Sequence, residues 1–467
     1  MLLLRVISIT IFSLFLFFTG FSQIDSSGFV VISSIEVKGN KKTKSYIVER
    51  ELTFNLGDSI YKNVLKEKLE RSRQNLLNTS LFNFVTIRKV HVNPTEIKIF
   101  IEVIERWYLW PALIFELAET NFNSWWVNKD LSRLSYGFAV TKDNFRGRKE
   151  KLGLKVQLGF TEQLGLQYTI PYINKKRTNG LGITASYSGN HEINYRSLGN
   201  KRIFLKDTEK YLRTEFISRL TFIQRLKLYE TTVLELEYTN SSLADTITTI
   251  SNDYFSENSQ HTQFLALIFK YSVDKRDFAA YPLKGSAFGI DIVKYGLGLL
   301  NNDKLNTVML SFNLRKHFHL KNRWFFASGI FSKSFLLNNP PYYIQQGLGY
   351  RDYVRGYELY VIDGQQYGLL RNNLKYQLVK QKQGKVNIIP TEKFNTFHYA
   401  FYLNAFLDIG YTSDQLYFRE NKLSNEVLVG GGIGLDFVTY YDKVVRMELS
   451  LNRMRELGFY LHFRRPI

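Results

Sequence analysis

From Tyr108 onward the chain repeats one pattern, in which every second side chain is apolar and those between are polar or glycine. Leu152, Leu154, Val156, Leu158 and Phe160 alternate with Gly153, Lys155, Gln157, Gly159 and Thr161. Late in the chain Tyr399, Phe401, Leu403, Leu407 and Ile409 face one way, and Tyr402, Asn404, Phe406, Asp408 and Gly410 face the other. Strands of a soluble sandwich are typically about 5–6 residues long, whereas these segments run to about 10–15, enough for tilted strands to cross a bilayer. About sixteen such segments are expected, near 108–118, 133–143, 149–160, 162–173, 178–190, 209–223, 226–241, 259–273, 286–296, 305–320, 322–336, 365–380, 396–410, 426–440, 442–454 and 455–465. Lipid offers no water to unpaired backbone groups, so a sheet of this kind must close on itself. The expected fold is mainly β, a transmembrane antiparallel barrel preceded by one small α+β domain. Tyr108, Trp110, Trp125, Trp126, Trp324, Phe325, Tyr342 and Tyr343 gather near segment ends, as interfacial girdles do.

Residues 1–22 read as a secretory signal peptide, with Arg5, an apolar run from Val6 to Phe18, and small Gly20 and Ser22 before the cut. Export makes nucleic acid an unsuitable partner for the net charge of +20, which points instead to anionic lipid or a cationic lumen. The absence of Cys excludes disulfide scaffolds, thiolate zinc sites and cysteine nucleophiles.

Residues 30–106 mix helix and strand periods in the order β-α-α-β-β. An extended segment ends at Gly39-Asn40, and Thr43 is placed to cap a helix carrying Tyr46, Ile47, Arg50 and Glu51. After the Gly57-Asp58 break, a second helix aligns Val64, Leu65, Leu69, Leu76 and Leu77, with Lys62, Lys66, Lys68, Arg71 and Arg73 largely off that stripe, as a solvated face. Alternating strands follow around Val85 and Ile99. The stretches IEVKGNKKTKSYIVERELTFNLGD, LERSRQNLLNTSLFNFVTI and KIFIEVIER resemble a POTRA domain.

The connection at 337–364 is long and carries Pro340-Pro341 and Val354-Arg355-Gly356-Tyr357. This resembles the VRGF/VRGY signature in the sixth extracellular loop of BamA/TamA-type assembly and translocation barrels, here with a single POTRA domain. In that family the loop folds into the lumen, and its partner motif F-x-D-x-G matches Phe406-Leu407-Asp408-Ile409-Gly410. The alternation independently puts Phe406, Asp408 and Gly410 on the inward face, so an Arg355–Asp408 pair is expected to latch the loop. Asp143-Asn144-Phe145-Arg146-Gly147, Pro171-Tyr172 and Asp274-Lys275-Arg276-Asp277 with Tyr281 to Gly285 resemble family turns. Residues 107–467 are thus read as the barrel. Two departures stand out: the strand after the loop offers no inward Glu as a second partner for Arg355, and the chain ends Phe463-Arg464-Arg465-Pro466-Ile467 without a terminal aromatic. The loop is therefore expected to be held more weakly or differently.

The resemblance implies an outer-membrane protein with its POTRA domain in the periplasm. Its partners would be unfolded outer-membrane or secreted polypeptides, outer-membrane lipid and accessory subunits. It also implies a seam between first and last strands that opens sideways, with Pro111 and Phe463 as candidate seam residues and Pro466 just beyond. The alternative is a passive solute pore or structural barrel with the POTRA domain as a tether. No G-x-S-x-G elbow, P-loop, HExxH or dinucleotide fingerprint occurs, so neither enzyme activity nor a cofactor is expected. His317 and His319 share a strand face but lack an evident third ligand, so no metal is expected.

Overall fold

A computed structural model describes residues 28–117, 129, 134–255, 259–300, 305–337, 339–385, 396–439 and 443–464. The expected signal peptide, Trp125, Trp126 and Pro466 lie outside these residues. The amino-terminal domain contains β1 (Phe29–Lys38), α1 (Ser45–Glu49), β2 (Ser59–Tyr61), α2 (Lys62–Asn78), β3 (Phe82–Asn93) and β4 (Glu96–Glu105). Its sheet has the order β2-β1-β4-β3, so β2 and β3 are the edges. Strand β1 runs parallel to β4, and the other pairs are antiparallel. Ile32, Ile47, Leu65, Leu76, Ile97 and Ile99 form its core. The three residues of β2 are too few to display a period, which is why the sequence reading lacks that strand. Val64 is 37% exposed and falls off the expected apolar stripe.

Sixteen strands form the second sheet. They are β5 (Leu109–Leu117), β6 (Leu134–Phe145), β7 (Glu150–Gly159), β8 (Thr161–Ile170), β9 (Asn179–Asn190), β12 (Arg213–Gln224), β13 (Glu230–Leu243), β14 (His261–Asp274), β15 (Gly285–Tyr295) and β16 (Thr307–Lys321). The series continues with β17 (Trp324–Leu337), β18 (Gln366–Lys385), β19 (Thr396–Ser413), β20 (Val427–Thr439), β21 (Lys443–Asn452) and β22 (Leu457–Arg464). Successive strands pair antiparallel from β5 to β22, and among the described residues no ladder joins those two ends. Two elements lie outside the sheet, a hairpin of β10 (Glu192–Leu198) with β11 (Lys201–Lys206), and α3 (Asp245–Ile250).

The burial pattern inverts that of a water-soluble fold. Leu403, Leu407 and Ile409 of β19 are exposed, while Asn404, Phe406 and Asp408 between them are buried. Likewise, Leu449 is exposed on β21 and Glu448 is fully buried. Apolar side chains that would be costly in water cover the outside of strand after strand, which is the surface a hydrocarbon solvent requires. No helix among the described residues is long and apolar enough to cross a membrane. Some expected girdle aromatics lie elsewhere. Tyr342 is buried in a cluster with Leu212, Tyr254 and Phe255, against which Tyr343 packs, because the long connection folds back under α3 and the hairpin. Phe325 points inward and is buried, whereas Trp324 is exposed and packs on Tyr376 at a centroid distance of 4.9 Å.

Candidate functional site: the lumen latch and the docked domain

The connection between β17 and β18 enters the barrel and is anchored by its own apolar residues. Leu348, Val354, Tyr357 and Ile362 pack with Leu369 of β18 and Leu428 of β20. A left-handed turn at Gly356, with φ of +95°, delivers Arg355 to the inner wall. There the guanidinium meets Asp408 through two charge-assisted bonds, with Nη2 donating to Oδ1 at 2.6 Å and Nε to Oδ2 at 2.8 Å. The Arg355 backbone N–H donates to the same carboxylate at 3.2 Å. Beneath the pair, the Phe406 ring centroid lies 3.9 Å from the guanidinium carbon. The planar fork matches a carboxylate in a way that lysine does not, so the geometry fixes register as well as proximity.

Gly410 of the motif and Gly430 of β20 supply room. A Cβ at Gly410 would lie 2.4 Å from Val354 Cγ2, and one at Gly430 would lie 1.8 Å from the Arg355 carbonyl oxygen. Asn452 Nδ2 donates to the Gly356 carbonyl at 2.9 Å, and the Arg453 backbone N–H donates to the Tyr357 hydroxyl at 3.3 Å. Val354, Arg355, Gly356, Tyr357, Phe406, Asp408 and Gly410 thus lie together at the inner wall. Missed was the second carboxylate. Glu448 of β21 lies 3.3 Å from Arg355 Nη1, and Asn373 of β18 accepts from that nitrogen at 2.7 Å. Alternation along 443–452 marks Glu448 as inward, but nothing in the sequence pairs it with Arg355. The loop is held differently rather than through a carboxylate on β18, with partners on β18, β19 and β21.

A second buried cluster braces the same strands, joined to the latch where Arg446 Nε lies 3.7 Å from Glu448 Oε1. Arg446 grips Asp436 at 2.7 and 3.0 Å, Asn404 Nδ2 donates to Asp436 at 3.0 Å, and Tyr281 donates to it at 2.7 Å from the β14–β15 turn. Among the described residues His317 and His319 belong to no cluster of metal-ligating groups, and His319 Nε2 lies 2.8 Å from the Asn322 carbonyl.

The amino-terminal domain is seated on four barrel turns. Thr43 does not cap α1, whose N-cap is Lys44. Its hydroxyl donates to Glu105 at 2.7 Å and receives a bond from Asn144 Nδ2 at 2.9 Å, while the Lys44 N–H donates to the Gly147 carbonyl at 3.0 Å. Arg50 donates to the carbonyls of Arg177 and Arg225. Arg225 in turn clasps Glu51 at 2.6 and 2.8 Å. Burial works against ionised Glu51, but the charges of Lys149 and Arg225 outweigh it and hold its carboxyl below the ordinary value. Arg71, expected on a solvated face, lies over Tyr229 and donates to the Arg276 carbonyl at 3.0 Å. Pro111 stands in β5 opposite Val140, and Phe463 in β22 opposite Val445, so both candidate seam residues belong to the end strands of the sheet.

The comparisons with known proteins agree with this architecture. The Omp85 superfamily domain matches residues 144–439, and a POTRA family described as a surface antigen variable number repeat matches residues 30–106. The fold is similar to a crystal structure of BamA from Haemophilus ducreyi lacking POTRA domains 1–3, with TM-score 0.51 and 16% identity over 93% of this chain and 83% of that one. It is also similar to CdiB from Escherichia coli, with TM-score 0.53 and 11% identity over 93% and 75% of the two chains. No curated protein matches the sequence significantly. Omp85 barrels with POTRA domains are outer-membrane proteins whose POTRA domains are periplasmic, and members such as BamA and CdiB are transporters and insertases rather than enzymes. With a POTRA domain docked on a 16-stranded sheet and the superfamily match covering most of that sheet, this chain belongs to the Omp85 superfamily.

Proposed function

We propose that this protein works in the outer membrane, where it inserts outer-membrane proteins or translocates a polypeptide client. The POTRA domain captures an extended segment of client by adding it as a strand to β3, the long edge of its sheet. Val90 and Val92, each 51% exposed, lie along that edge. The client then passes to the seam formed by β5 and β22, while the Arg355–Asp408 latch keeps the lumen loop in register beside the last strands. Anionic outer-membrane lipid is the expected partner of the basic surface.

The observation that carries this reading is the occupied lumen. A buried, multiply bonded Arg355 fixes a long loop inside the barrel, and a domain is seated across the turns at one mouth. A passive solute pore needs the opposite arrangement. Depletion of the protein, followed by quantitative proteomics of outer-membrane and extracellular fractions, tests the proposal. Loss of particular client proteins is expected. An unchanged proteome with altered small-solute permeability would favour the pore.

A further inference from the structure

Beside the latch, three side chains from three separate elements point their ligand atoms at one another. Glu358 comes from the lumen loop, Glu448 from β21 and His462 from β22, and their oxygen and nitrogen atoms all lie within 4.8 Å. His462 Nε2 is 3.3 Å from Glu448 Oε2 and 3.7 Å from Glu358 Oε1. His462 is 8% exposed and Glu448 fully buried, and His462 Nε2 and Glu448 Oε2, facing each other, have no hydrogen-bond partner outside the cluster. The remaining atoms of both groups are already engaged. His462 Nδ1 is 3.4 Å from the Tyr353 hydroxyl, and Glu448 Oε1 is 3.3 Å from Arg355 Nη1.

We propose that Glu358, Glu448 and His462 form a divalent-metal site, best suited to Zn2+, that ties the lumen loop to the last two strands of the barrel. Ligands bound at about 2.0–2.2 Å in a tetrahedron are separated by roughly 3.3–3.6 Å, close to the two nitrogen–oxygen separations. One imidazole with two carboxylates suits a borderline cation such as Zn2+, and a water would complete the tetrahedron. The surroundings have the form of an outer shell: Tyr353 orients the imidazole through its other nitrogen, and Arg355 holds the second oxygen of Glu448. The cation would also offset two carboxylates buried side by side. Where Arg355–Asp408 fastens the loop to β19, the metal would fasten it to β21 and to β22, an end strand of the sheet. The inference stands apart from client identity and from the direction of transport.

The test uses the full mature protein, purified in detergent, stripped with chelator and titrated with Zn2+ alone. Calorimetry should show one equivalent bound, and limited proteolysis should show the loop protected several-fold by the ion. His462→Ala and, on the loop itself, Glu358→Gln should each weaken binding at least tenfold and abolish that protection. Glu358→Gln changes a loop residue rather than a barrel strand, so it covers the case in which His462→Ala fails to fold. Absence of saturable binding by the wild-type protein would overturn the proposal. So would equal binding by the folded Glu358→Gln variant, leaving the cluster as a protonated histidine between two carboxylates.

Discussion

Arg355 Nη2 lies 2.6 Å from Asp408 Oδ1, and this contact joins a loop residue to a strand residue across the barrel interior. Both side chains are essentially inaccessible, at 2% and 0% exposure. Removing one member of the pair leaves the other buried with only a longer contact to an opposite charge, Glu448 at 3.3 Å for Arg355 or Arg371 at 3.8 Å for Asp408, and breaking a buried pair costs up to about 3–5 kcal/mol. Arg355→Ala and Asp408→Ala proteins should still insert as barrels, with the loop cleaved by added protease at least tenfold faster and activity lost. Wild-type cleavage rates and activity in both would remove the latch from the account.

Release of the loop should also follow from sterics alone. Alanine at Gly430 would put its Cβ 1.8 Å from the Arg355 carbonyl oxygen, although every charge stays in place. Gly430→Ala is therefore expected to reproduce the protease sensitivity of Arg355→Ala. Gly368→Ala, where a Cβ meets nothing within 4 Å, is the matched control and should behave as wild type.

Docking of the POTRA domain should depend on pH through Glu51. Its pKa is lowered in the folded protein, so its contribution is present above the unfolded value and lost as pH falls through the folded one. The contact with Arg225 should hold at neutral pH and loosen on acidification below the ordinary glutamate value of 4.5. Glu51→Gln should loosen it at all pH values. Because the chain has no Cys, two introduced cysteines carry spin labels without background. A distance distribution between domain and barrel that stays narrow in Glu51→Gln would contradict this role.

Tyr281→Phe removes a single buried hydroxyl from Asp436. A hydrogen bond to a charged group contributes about 1.5–3 kcal/mol, so the barrel should unfold at lower temperature in detergent while the lumen loop keeps wild-type protease resistance. Coupled loss of both would mean that the 3.7 Å Arg446–Glu448 contact transmits the damage from one cluster to the other.

The barrel was legible because its physics is local. Alternation along 396–413 needs no knowledge of neighbouring strands, and Asp408 was assigned inward from it. The sixteen barrel strands coincide with the expected segments to within a few residues. What stayed hidden depends on contacts distant in sequence. Glu448 meets Arg355 across 93 residues, and Arg71 meets Arg276 across 205. Neither pairing leaves a periodic trace. Thr43 looks like a helix cap in the sequence because Thr before a helix usually serves that purpose, whereas its hydroxyl is taken by Glu105, Tyr108 and Asn144. The β10–β11 hairpin was missed because it projects beyond the sheet and does not share its two-faced pattern.

The claim that this barrel handles polypeptides is tested most directly by site-specific photocrosslinking in intact cells from Val90 and Val92 on the β3 edge. The account predicts discrete adducts with unfolded outer-membrane or secreted chains from these positions, and none from buried Ile99. Ion conductance through the purified protein, with no chain captured from either valine, would contradict it.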